Sequence, residues 1–177
     1  MSDGAAAVLL APLSDAQQYT SHPVPIIASS VTTDRFRMAD RPNPLRLEAA
    51  SDSAQQALRQ ADLSLEDVDF FELHDAFSIM ACLLLEAAGF TAPGRGWELA
   101  ASDEIGLQGR IPIATMGGLK ARGHPIGATA LYQSCEIVQQ LTGKAGQNQL
   151  DEPRVAMLQS VGGAGTTILT HLFTAVS

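Results

Sequence analysis

Three short segments carry residue types that can do chemistry together. The first is Glu72-Leu73-His74-Asp75-Ala76-Phe77, in which His74 leaves an apolar strand-like run and Asp75 precedes a helix whose free N–H groups it can cap. The second is Gly117-Gly118-Leu119-Lys120-Ala121-Arg122-Gly123-His124-Pro125-Ile126-Gly127-Ala128. Pro125 stands where a helix would begin, and the glycines let backbone approach a ligand closely. The positive end of that helix disfavours an imidazolium, so His124 is expected neutral near pH 7. A neutral imidazole can take a proton from a thiol or donate a hydrogen bond to an oxyanion. The third is Gln159-Ser160-Val161-Gly162-Gly163-Ala164-Gly165, whose backbone N–H groups can converge as an oxyanion hole. Each segment alone also reads as something plainer: a capped turn, a flexible glycine loop, a hairpin turn. A P-loop is a poor alternative for the second, because the GK[ST] ending is missing.

The elements that must position these segments read as alternating helices and short apolar strands. Strands are predicted at Ala5–Ala11, stopped by Pro12, and at Val24–Val31, Val68–Leu73, Ile111–Thr115, Val155–Leu158 and Thr166–Phe173. A helical turn fits Ser14–Ser21, and Asp40–Pro44 is a loop. A helix is predicted over Leu45–Ala61, where Leu47, Ala50, Ala54, Ala57, Leu58 and Ala61 share one face. Ser64 and Asp67 are spaced as a capping box. Further helices are expected at Phe77–Ala88, closed by Gly89, at Trp97–Ala101 inside a loop, and from about Ile126 to Leu141. This pattern predicts an α/β fold with a sheet covered by helices on both faces, and it sets all three segments at the C-terminal ends of strands, where open α/β sheets bind ligands.

Composition narrows the function classes. The chain has 177 residues, of which 46% are hydrophobic and 5% aromatic, so disorder and fibrous repeats are excluded and a sizeable core is affordable without staples. The formal charge of −8 comes without any basic run, which argues against a nucleic-acid partner. The longest apolar run, Phe77–Leu85, is too short to span a bilayer. Cys82 and Cys135 form neither a CxxC pair nor a disulfide framework, which fits a reducing, cytoplasmic setting. Cys135 shares a helical stripe with Ala128, Leu131 and Val138, and both thiols read as core residues rather than nucleophiles. The four histidines are too scattered for a recognisable metal site.

Together and in this order, the three segments resemble the C-terminal half of a thiolase, in the branch of sterol-carrier-protein thiolases and archaeal acetyl-CoA acetyltransferases. HDAF at 74–77 is similar to that branch's HD[CA]F, GGLKARGHPIGA at 117–128 to its GHP motif, and QSVGGAG at 159–165 to its final glycine turn. Ser2-Asp3-Gly4-Ala5-Ala6-Ala7 resembles the start of the last strand of a first thiolase half, so residues 1–22 read as a remnant and connector and 23–177 as the C-terminal domain.

The resemblance implies Claisen-type acyl transfer between coenzyme A thioesters, the thioester being substrate and no cofactor being required. His124 would then activate a nucleophilic cysteine carried by the absent first half, His74 would donate to an oxyanion hole, and the Gly162 N–H would contribute to a second one. Phe77, Gly118 and Pro125 are the expected substrate-binding positions. Ser160 stands where most thiolases carry an acid/base cysteine, and Ala76 where the sterol-carrier branch can carry one. The implied partners are acyl-CoA, a first thiolase half, a second copy or hetero-complex subunit, and a small OB-fold/zinc-ribbon protein. Three outcomes stay open: an enzyme half inactive alone, a non-catalytic acyl-CoA- or partner-binding module, or a fragment; a subunit of a thiolase-like aldolase is a further variant. If the chain is half of a larger enzyme, apolar surface, including the small-residue helix after His124, should face the missing half.

Overall fold

The computed structural model describes residues 1–176. It contains a four-stranded mixed sheet with strands β1 (Ile26–Thr33), β2 (Phe70–Glu72), β3 (Val155–Gly162) and β4 (Thr167–Thr174) in the order β1-β4-β3-β2. β1 and β3 both run antiparallel to β4, and β2 runs parallel to β3 with Glu72 opposite Leu158. Extending that register sets His74 level with Ser160. The first and third segments therefore leave the sheet at the same end, as expected.

Helices α1 (Glu48–Ala61) and α2 (Ser78–Ala88) cover one face, with the short α3 (Gly96–Ala101) against α2. α1 buries Ala49, Ala50, Ser53, Ala54, Ala57 and Leu58, a run of small side chains that lets the helix lie close on β1 and β4. Phe71, Met157, Ile168 and Leu172 supply the sheet's side of the same core. The alternate residues Phe70, Ala156, Leu158 and Phe173 point the other way, into a smaller cluster closed by Ile137 and Leu141 of α5 (Thr129–Leu141). Helices thus lie on both faces, as the patterning predicts.

Local signals hold well. Asp67 accepts the Ser64 backbone N–H at 2.7 Å and its hydroxyl at 2.7 Å, completing the capping box. Gly89 ends α2 at φ 101°, a left-handed conformation that favours glycine.

Four expectations need correction. Ala5–Ala11 is not a buried strand; it is irregular and exposed, except for a half-buried Ala6. Its neighbours lie across the loop before α5 instead of beside a strand edge, Ser2 N–H donating to the His124 carbonyl at 3.3 Å, so no ladder can form. Ile111–Thr115 makes only one bridge, Ile113 to Phe71. Pro112 lacks an N–H, and Ala114 at φ 45° turns the chain out of extended conformation. The helix expected from Ile126 begins at Thr129, because Pro125 leads a turn in which Ala128 N–H reaches the Pro125 carbonyl at 2.7 Å.

The fourth correction concerns the rotation of α5. Its buried face is Thr129, Gln133, Glu136, Ile137, Gln140 and Leu141. The stripe read as core faces outward instead: Leu131 and Val138 are exposed, and Ala128 and Cys135 are half-buried. Polar side chains take the inner face because each finds a partner there. Gln133 Nε2–H donates to the Leu73 carbonyl at 2.7 Å, and Gln140 Nε2–H donates to that of Asn148 at 2.8 Å.

Candidate active site

His74 and His124 come together. Their rings meet edge to face, with centroids 5.0 Å apart and an interplanar angle of 85°. Fifty residues of chain separate them, so the pair is a product of the fold: β2 delivers His74 and the turn before α5 delivers His124.

Each imidazole is held neutral near pH 7. Burial, then the neighbouring His124, push His74 down to about 4, against a smaller opposing pull from Asp75. Burial is also the first cause lowering His124, and the Arg122 charge adds to it. The expected neutrality is therefore supported, but its leading cause is desolvation and not the helix end, which lies five residues on at Thr129.

His124 is also oriented. Its Nδ1 lies 2.7 Å from Thr129 Oγ1, and the threonine hydroxyl donates to the Pro125 carbonyl at 3.2 Å. With its proton committed to that carbonyl, the hydroxyl accepts from Nδ1–H. That assigns the proton to Nδ1 and leaves Nε2 as a free acceptor. Thr129 was not singled out in the sequence; the signal was a threonine in the first turn of a helix, five residues after a histidine.

Asp75 caps a helix, but not the one that follows it. Its carboxylate accepts the N–H of Leu119 at 2.8 Å and of Lys120 at 3.4 Å, at the start of the one-turn α4 (Gly118–Ala121). Gly118, at φ 59°, is buried under that carboxylate, and a Cβ there would run into it. The HDAF and GHP segments are thus tied by a direct hydrogen bond as well as by ring contact. Pro125 is buried, and Phe77, the residue before α2, is 67% exposed.

The glycine turn is more closed than a convergent N–H nest. Gly162 pairs with Thr167 in the β3–β4 ladder and its carbonyl accepts Thr166 N–H at 3.1 Å. Arg41, buried and 3.1 Å from Asp34, donates to the Ala164 carbonyl at 2.8 Å and pins the turn. Ser160 is half-buried on the α5 side of the sheet, opposite Leu169. Neither cysteine joins the site. Cys82 packs its backbone under Gly96, and Cys135 lies six residues beyond Thr129 along α5, about 9 Å of helical rise. Burial and then Glu136 push the Cys135 thiol up, away from the thiolate form.

Comparison with known proteins follows the same lines. The family described as thiolase C-terminal domain-like matches residues 30–175. The chain belongs to that family. Among curated thiolase relatives, an acetyl-CoA acetyltransferase of Methanothermobacter thermautotrophicus is 40% identical over 98% of this chain and 45% of its own length. Human sterol carrier protein 2 is 33% identical over 96% of this chain and 32% of its own. The thiolase-like chain thus spans less than half the length of these relatives. Among solved structures, the Ltp2-ChsH2(DUF35) aldolase superposes with a TM-score of 0.80 at 20% identity, over 89% of this chain and 41% of that one. A monomeric SCP2-thiolase-like protein type 1 from Mycobacterium smegmatis gives 0.62 at 18% identity, over 85% and 29%. Both share the thiolase-like fold. Among the described residues no helix is long and apolar enough to cross a membrane.

Proposed function

We propose that this chain supplies the second half of a thiolase-like active site acting on acyl-CoA thioesters, with residues 1–22 as connector and 23–177 as the domain. The observation that carries the reading is the neutral, edge-to-face His74–His124 pair with His124 Nε2 left free by Thr129. In this reading His124 Nε2 takes the proton of a cysteine thiol belonging to a first half. The thiolate attacks the thioester carbonyl, coenzyme A leaves as the thiol, and the acyl group remains on the cysteine. His74, neutral and partly buried, donates a hydrogen bond to the thioester oxygen as charge develops there. In the same reading the Gly162 N–H would contribute to a second oxyanion hole, Ser160 would occupy the place of the missing acid/base cysteine, and Phe77, Gly118 and Pro125 would bind the substrate. The outward α5 stripe is the surface for the first half, in a homo- or hetero-complex in the cytoplasm, and the thioester itself brings all the activation needed without a further cofactor.

The test is reconstitution. Mixed with a cysteine-bearing first half and acetyl-CoA, the chain should accumulate an acyl-cysteine detectable by mass spectrometry. His124→Ala should lower its rate of formation by about 10²–10⁴-fold. An undiminished rate overturns the role of His124, and thiolysis of acetoacetyl-CoA by the chain alone overturns the need for a first half.

A second reading has its own support. Neither Ser160 nor Ala76 can act as a thiol acid, and both cysteines lie elsewhere. That suits cleavage of a β-hydroxyacyl-CoA by retro-aldol chemistry, as a subunit beside an OB-fold/zinc-ribbon partner, better than thiolysis. Release of a carbonyl fragment without consumption of free coenzyme A would select it.

A further inference from the structure

Beneath the histidine pair lies a polar cluster that neither reading uses. Glu72 is fully buried, and Glu136 nearly so, from opposite sides of the same interior: one from β2, the other from the inner face of α5. Glu72 Oε1 is satisfied by Thr115, whose N–H donates at 2.9 Å and whose hydroxyl at 3.3 Å. Glu136 Oε1 pairs with Arg122 Nε at 2.5 Å. The remaining oxygens, Glu72 Oε2 and Glu136 Oε2, are both buried without a donor, and Arg122 Nε and Nη2 are buried without an aligned acceptor, although the two carboxyl side chains are within hydrogen-bonding reach of each other. Two ionised carboxylates against one guanidinium would leave a buried excess charge and two orphaned acceptors. One proton between them removes both problems at once.

We propose that Glu72 and Glu136 share a single proton and, with Arg122, form a neutral buried clamp that positions the loop carrying His124. Arg122 is the link. Its guanidinium carbon lies 5.0 Å over the Tyr132 ring of α5, its Nη1–H donates to the Gly123 carbonyl at 3.3 Å, and His124 is the next residue. Tyr132 and Glu136 lie one turn apart on α5, so the helix grips the arginine at two points. The other charged group facing the pair is Asp75, from the β2–α2 connection, which opposes ionisation of Glu136. The segment ending at Thr115 contributes only hydrogen bonds, and β3 beside β2 contributes the uncharged Leu158 and Ser160. Burial, then Glu136, raise the Glu72 carboxyl to about 8, and burial raises Glu136 as well; the Arg122 guanidinium beside Glu136 favours the negative charge on that side of the pair.

The inference deepens the reading of the site, but its test needs neither a first half nor a substrate. In the full chain labelled with carbon-13 at glutamate carboxyls, one glutamate should remain protonated at pH 7 by NMR and titrate near 8. That signal should vanish in Glu72→Gln, which keeps the shape and donor of the protonated acid. All glutamates ionised by pH 6 would overturn the shared proton. The folded state holds this proton where the unfolded chain does not, so wild-type stability should fall as pH rises from the ordinary glutamate range through about 8. Glu72→Gln should flatten that fall; an unchanged slope counts against the proposal.

Positioning has a separate readout. Nitrogen-15 shifts of His124 should show Nδ1 protonated in the wild type and in Glu72→Gln, and a mixture of tautomers in Glu136→Gln. If Glu136→Gln does not fold, Glu136→Asp, with a shortened reach to Arg122, serves the same purpose. An unaltered His124 signature in a folded Glu136 variant would reduce the cluster to a structural feature. Failure of acyl transfer leaves all of these readouts in place, and an ionised pair leaves the acyl-transfer proposal in place.

Discussion

The two faces of the sheet are built for different tasks. On the α1–α2 face, nineteen buried apolar residues form one cluster among the described residues; on the α5 face there are seven. The first face is tight, small-residue packing with short polar links between α1 and the sheet: Ser53 donates to Thr170 at 2.7 Å, Gln159 reaches the same hydroxyl at 3.0 Å, and the Thr32 hydroxyl donates to the Ala49 carbonyl at 2.5 Å. The second carries His74, His124, Glu72, Glu136 and Arg122, and its helix turns Leu131 and Val138 to the outside. Stability is concentrated where no chemistry is proposed. The thin face can hold groups that are costly to bury, because the thick face already holds the fold.

The strongest way to break this contrast is Phe71→Ala on the thick face. Phe71 is fully buried and stacks on Phe90 with centroids 5.7 Å apart, so the variant should lose about 3–5 kcal/mol in urea unfolding. A loss under about 1 kcal/mol would mean that the thick face does not dominate stability.

His74→Asn tests the thin face through pH. The His74 imidazole is neutral in the fold down to about 4, while the unfolded chain takes up its proton near the usual 6.5. Across that window the unfolded state binds more protons, so stability should rise with pH. The substitution should remove this part of the rise in melting temperature, a slope opposite in sign to that from Glu72. Asp75→Ala should cost about 1 kcal/mol through the lost cap on α4, and should increase hydrogen exchange at Leu119 and Lys120. Protection that stays unchanged at those amides would separate the HDAF and GHP segments.

The smallest effect on the chain itself is expected at the outward stripe. Val138→Ala should change stability by no more than about 0.5 kcal/mol, because the residue is 39% exposed. Its consequence should appear instead as weaker binding of a first half in a titration. A large stability loss with unchanged binding would reverse the assignment of inside and outside on α5.

The reach of the sequence can be followed residue by residue. Ser64 with Asp67, Gly89, and the alanine face of α1 were legible because each depends on neighbours within about one or two helical turns. The order HDAF, GHP, glycine turn was legible as a family pattern, but the edge-to-face contact of His74 and His124 was not. The strand at Ala5–Ala11 was not, because an apolar run becomes a strand only where an edge is free to pair with it. The rotation of α5 differs from the sequence reading because its apolar stripe faces outward and its polar stripe finds partners inside, from Leu73, Arg122 and Asn148. Glu72 and Glu136 gave a faint signal, acidic residues flanked by apolar ones, with nothing to say that they met.

Taken by itself, the sequence determined the fold class, most helices and strands, the two histidines, and that Ala76 and Ser160 carry no thiol. Tertiary structure alone decided that Asp75 caps α4 instead of α2, that Thr129 orients His124, that α5 presents Leu131 and Val138 outward, and that two glutamates face one arginine. The dividing line is range. Turns, caps and amphipathic spacing are set by interactions a few residues long, whereas a buried charge or an oriented proton depends on which distant groups the fold brings within about 3 Å.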